Sequence, residues 1–85
     1  MKPHIQIKMF ALAAVDACAG EPMPREALIQ QTQLALPQLR ATVEQVAESI
    51  EGLKAQRYIT ETIDDLQERQ AYTITERGQA ALRAR

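Results

Sequence analysis

Pro37-Gln38-Leu39-Arg40-Ala41-Thr42-Val43-Glu44-Gln45-Val46-Ala47-Glu48-Ser49-Ile50-Glu51-Gly52-Leu53 is followed by Lys54-Ala55-Gln56-Arg57-Tyr58-Ile59-Thr60-Glu61-Thr62-Ile63, and the hydrophobic period changes between them. In the first part Leu39, Val43, Val46, Ile50 and Leu53 are spaced 4, 3, 4 and 3 residues apart. That spacing places them on one face of a helix of about five turns, the face that turns inward. After Arg57, Tyr58, Thr60 and Thr62 alternate with Ile59, Glu61 and Ile63. Alternation of β-branched residues reads as a strand. Pro37 suits the first helical position, where its missing N–H has no partner to lose. Thr42 and Gln45 also match a capping box, which offers a later start. The start at Pro37 is preferred because Leu39 extends the stripe.

Beyond this stretch, the polar run from Asp64 to Arg69 turns the chain. Gln70 to Ile74 forms a second short strand, and Tyr58 and Tyr72 either face each other across the hairpin or pack on the core. Thr75 caps a last helix over 76–84, with Glu76 in its first turn, Ala80, Ala81 and Leu82 inward, and Arg83 and Arg85 at its end. Upstream, residues 4–18 read as a helix. Ile5, Met9, Leu12 and Ala13 or Val15 recur at helical spacing, and the many alanines favour helix. Gly20 stands just past its end. Pro22-Met23 has room for one rung of extended chain. Pro24 opens a helix over 24–32 with Ala27, Leu28 and Gln31 inward, and residues 32–36 form a turn.

The chain has 85 residues, enough for one domain spanning 1–85 and one core. Apolar residues make up 46% and charged residues 25%, which excludes wholesale disorder. The net charge of -1 lacks the basic signature of strong nucleic-acid binders. The one cysteine, Cys18, forms no internal disulfide, so a cytoplasmic setting is expected. No run is apolar enough to span a membrane, and Gln6, Lys8 and Asp16 interrupt the one stretch resembling a leader. His4 has no second histidine to share a metal with, and Cys18 has no base oriented toward it and reads as a small core residue. Asp64-Asp65 lacks a glycine-containing ligand loop and reads as turn. With no phosphate loop or nucleophile elbow, the expectation is a non-enzyme without cofactor or metal.

Three stretches carry a family resemblance: Gly20-Glu21-Pro22-Met23-Pro24-Arg25-Glu26-Ala27-Leu28, Leu53-Lys54-Ala55-Gln56-Arg57-Tyr58-Ile59, and Tyr72-Thr73-Ile74-Thr75-Glu76-Arg77-Gly78. Together they cover about 20 to 82, and the third is the most specific. They resemble the winged helix-turn-helix regulators of the MarR and PadR kind. The resemblance implies an α+β, mostly helical domain of three helices, a β-hairpin wing and a C-terminal helix. It implies DNA binding in transcription regulation, with the third helix in the major groove, the wing on the backbone, and a homodimer joined by terminal helices through Ile5, Met9 and Leu12 or Ala80 and Leu82. The candidate DNA contacts are Gln38, Arg40, Thr42 and Gln45 on the front of the long helix, Arg57 at its exit and Arg69 in the wing. Ala41 belongs to the same front half. Arg57 equally suits the last helix carbonyls, and Arg69 suits an ion pair with Glu68 or Asp65.

Two departures stand against that resemblance. The long helix carries about one heptad more than the family's recognition helix, and its outer face is acidic. Ala41, Glu44, Gln45, Glu48, Glu51 and Gly52 fall opposite the stripe, and Asp64, Asp65 and Glu68 sit near the wing tip. Carboxylates there repel phosphates and argue against tight operator binding. An alternative function follows from them: a protein-interaction module docking a basic partner through Glu44, Glu48 and Glu51.

Overall fold

A computed structural model describes residues 2–64, 66 and 68–84, and of Asp64 the backbone alone. The elements run α1 (Pro3–Asp16), β1 (Met23–Pro24), α2 (Arg25–Ala35), a 3-10 turn (Pro37–Leu39), α3 (Val43–Ala55), β2 (Ile59–Asp64), β3 (Arg69–Ile74) and α4 (Glu76–Arg83). The strands form an antiparallel sheet in the order β1-β3-β2. The hairpin register runs from Ile59↔Ile74 to Asp64↔Arg69. Met23↔Tyr72 and Pro24↔Ala71 add β1, a short extended segment one residue later than the Pro22-Met23 rung expected from the sequence, so Pro24 joins the sheet and α2 starts at Arg25.

The core lies between α1, α2 and α3 on one side and the sheet on the other. Ile7, Leu12 and Val15 of α1 meet Leu28 and Ile29 of α2, Val46, Ile50 and Leu53 of α3, and Ile59 and Tyr72 of the hairpin. Each such side chain contributes about 1.5–3 kcal/mol by leaving water. Tyr72 is the largest fully buried residue. Tyr58 lies outside the strands and packs on the core, with the Arg77 guanidinium 5.0 Å from its ring centroid. The tyrosines therefore both use the core, and Tyr72 stands opposite Glu61 rather than Tyr58.

The long helix differs from its expected form. Pro37 opens a 3-10 turn, Arg40 closes it in the left-handed region (φ 49), and α3 starts after Thr42. The capping box wins over the proline because it satisfies two backbone N–H groups at once. Thr42 Oγ1 accepts from Gln45 N at 3.1 Å, and Gln45 Oε1 accepts from Thr42 N at 2.9 Å. The helix thus has 13 residues and no extra heptad. Only Val46, Ile50 and Leu53 of the five aliphatics occupy its buried face, with Ser49 beside them. Leu39 packs on the core from the turn, and Val43 is 49% exposed.

Smaller corrections follow the same logic. Helix α2 continues through the expected turn to Ala35, helped by Thr32, whose buried hydroxyl donates to Leu28 O at 2.7 Å. Ile29 takes the inward place given to Gln31, which is exposed. In α1 the buried set is Ile7, Ala11, Leu12 and Val15, while Ile5 and Met9 turn away from the centre of the core. Helix α1 ends at Asp16, ahead of Cys18, which packs at the core edge. Strand β2 begins at Ile59 rather than Arg57. In α4, Ala81 and Leu82 pack inward but Ala80 is exposed. Asp65 and Arg85 lie outside the described residues.

The exit of α3 carries strain. Tyr58 N donates to Leu53 O and Arg57 N to Lys54 O, both at 3.0 Å, which is a Schellman closure. Its left-handed position is held by Arg57 (φ 65), where glycine is the usual occupant. Arg57→Gly is expected to stabilise the protein by roughly 1 kcal/mol, since an L side chain there costs about 1–2 kcal/mol. A thermal melt unchanged or lowered by the substitution would show that the arginine side chain supplies a compensating contact.

Candidate nucleic-acid interface

Helix α3 presents Val46, Ser49, Ile50 and Leu53 inward. At about 100° per residue, Glu44, Glu48 and Glu51 occupy the opposite face, and all three are exposed. Glu44 lies in the first turn, where the helix dipole favours a carboxylate. Lys54 Nζ lies 3.1 Å from Glu51 and 3.6 Å from Glu61, tying α3 to β2. The Glu51 hydrogen bond holds the Lys54 ammonium above its ordinary pKa. Burial pushes the Tyr72 hydroxyl up; nearby Glu61 and Glu51 add to this, and Arg25 and Lys54 oppose it. Tyr72 Oη and Glu61 Oε1 are buried without hydrogen-bond partners.

The candidate contacts fall at three places rather than one. Gln38, Arg40, Thr42 and Gln45 gather where the 3-10 turn meets the start of α3, and all are exposed. Gln38, Arg40 and Ala41 precede the helix and do not ride on its front half, because the chain bends at Arg40. Thr42 and Gln45 spend one hydrogen-bonding group each on the capping box, leaving the Gln45 amide nitrogen as the free end of that side chain. Gln33 Nε2 donates to Ala41 O at 3.1 Å and anchors the turn to α2. Arg57 stands at the opposite end of α3, its backbone engaged in the closure described above. Arg69 pairs across the hairpin with Asp64 at the start of β3 and lines a hollow with Arg25, Glu26 and Glu68. Of the two partners expected for it, Glu68 lines the same hollow and Asp65 lies outside the described residues.

Sequence reading missed a groove of about 690 Å3 between the first half of α1 and a wall made by the 3-10 turn and the flank of α3. Pro3, His4, Ile7 and Lys8 line one side and Leu39, Ala41, Gln45, Glu48, Ser49 and Gly52 the other. Gly52 was the available signal, since a glycine inside a helix usually has a packing reason. Among the described residues, no group of three or more histidine, cysteine, aspartate or glutamate side chains is placed to hold a metal. No helix among them is long and apolar enough to cross a membrane.

No protein-family model and no curated protein matches the sequence. Solved structures do match the coordinates. A mutant of MepR from S. aureus aligns with a TM-score of 0.69 and 15% identity, covering 91% of this chain and 51% of that one. A transcriptional regulator of the MarR family from Silicibacter pomeroyi aligns with a TM-score of 0.66 and 22% identity, covering 93% of this chain and 47% of that one. The fold is a winged helix. The chain spans about half the length of both matched structures, and at these identities the likeness is one of architecture.

Within the winged helix, α2, the 3-10 turn and α3 form the helix-turn-helix, and β2–β3 form the wing. The wing tip exposes Ile63 and Leu66, the latter at 94%. The outer face of α3, the second helix of the helix-turn-helix, carries three exposed carboxylates.

Proposed function

We propose that this chain, as one domain over 1–85, is a non-enzymatic DNA-binding regulator that acts as a homodimer in the cytoplasm. The observation that carries the reading is the helix-turn-helix followed by a wing, with the outer face of α3 open to solvent. The architecture shared with MepR and the MarR-family regulator supports it. Gln38 and Arg40 approach the duplex from the turn ahead of α3, the Gln45 amide from its first turn, and Arg57 and Arg69 from the exit of α3 and from the wing. The acidic face makes this a weak, salt-sensitive binder. The fold gives no support to the alternative of a basic protein partner, and the carboxylate strip alone does not identify one.

The test is fluorescence anisotropy with a mixed-sequence duplex. For three phosphate contacts, raising salt from about 50 to 200 mM lowers affinity about 40-fold. Arg40→Ala should weaken binding roughly threefold and flatten the salt slope by about one. Absence of binding at the lowest salt would remove the DNA reading.

The dimer uses α1. Ile5 is 39% exposed, and Met9, Phe10 and Ala13 are partly exposed. This gives α1 an apolar face directed away from the core. A helix apolar on opposite sides is usually covered on both. Light scattering should give a dimer mass for the native protein and a monomer mass for Ile5→Glu with Met9→Glu. A native monomer at about 100 μM excludes the homodimer.

A further inference from the structure

The outer face of α3 has carboxylates at Glu44, Glu48 and Glu51, and its nearest cation, Lys54, is already shared between Glu51 and Glu61. Phosphates approaching this face need charge from elsewhere. Lys2 and Lys8 on the α1 side and Arg40 in the turn make no ion pairs among the described residues. Lys8 and the start of α1 line the groove whose other wall is the flank of α3. At Gly52, a Cβ would stand 3.0 Å from both Cε and Nζ of Lys8. The missing side chain lets the ammonium lie directly on the helix, one turn along from Glu48.

We infer that the α1 edge, with Lys8 seated over Gly52 and Lys2 near the start of the helix, is a second contact surface for the sugar–phosphate backbone of duplex DNA. This rests on the DNA-binding reading above and adds to it a surface outside the helix-turn-helix and the wing. The duplex is held beside the acidic helix by charge from α1. The contacts are to phosphate and carry no sequence information, so a mixed-sequence duplex is a sufficient probe.

The experiment compares the salt dependence of duplex binding for the native protein, Lys8→Ala, Lys8→Arg and Gly52→Ala. Losing one phosphate contact lowers the slope of log affinity against log salt by about 0.9 and weakens binding roughly threefold or more at low salt. Lys8→Arg restores both, because it returns the charge. Gly52→Ala is expected to raise the melting temperature, as alanine favours helix, and yet to weaken binding, because its Cβ displaces the ammonium. Equal melting of Lys8→Ala and native protein separates this effect from unfolding. If the native protein binds and Lys8→Ala leaves both slope and affinity unchanged, the α1 surface is excluded while the DNA-binding reading stands. If the native protein does not bind the duplex at about 50 mM salt, both are excluded.

Discussion

Gly78→Ala is expected to lower the melting temperature by roughly 10–20 °C, corresponding to about 3 kcal/mol in a domain of this size. A Cβ at this position would overlap the Tyr58 carbonyl oxygen and lie 2.8 Å from Ile74 Cγ1 and 3.2 Å from Leu12 Cδ1. The first is the decisive contact, because that carbonyl is backbone and is held in place. Thr75 N donates to it at 3.1 Å, and Thr75 Oγ1 reaches it at 3.0 Å while accepting from Gly78 N at 3.0 Å. The new methyl cannot be relieved by turning a side chain. Either α4 lifts from the hairpin, or the bonds that seat its first turn break. Alanine gains about 1 kcal/mol in helix propensity over glycine, which is too little to offset the clash. A melt within about 2 °C of the native protein would show that α4 is not packed against Tyr58 as described.

Glu44→Lys with Glu48→Lys is expected to have the largest functional effect: roughly a hundredfold gain in duplex affinity at low salt, with the salt slope steeper by about two. The two carboxylates stand one turn apart on the exposed face of α3, so each reversal both removes a repulsion and adds a phosphate contact. The substitutions touch no core residue. Their cost is loss of a favourable first-turn carboxylate at Glu44, about 0.5 kcal/mol. Unchanged affinity in a native protein that does bind DNA would mean that the outer face of α3 never approaches the duplex.

The site was legible in part. That the outer face of α3 is acidic follows from the order of residues around a helix, and Glu44, Glu48 and Glu51 are exposed as the wheel requires. The position of Arg40 was not legible. A proline and an aliphatic stripe both argued for a helix running through it, whereas the chain turns left-handed there and restarts at the Thr42 cap. Two short-range signals competed, and the one that satisfied two N–H groups prevailed. The α1 groove was hidden for a different reason: Lys8 and Gly52 are 44 positions apart, and no local pattern links them.

Local chemistry alone determined the order of elements: the stripe of Val46, Ile50 and Leu53, the alternation from Ile59 to Ile63, and the Thr75 cap each act over a few residues and need no distant partner. The tertiary structure decided which side of the alanine-rich α1 is buried and which cations stand beside α3. Those outcomes depend on packing between segments far apart in the chain, where small residues such as Gly52 and Gly78 set how closely backbones and side chains approach, and periodicity carries no record of that distance.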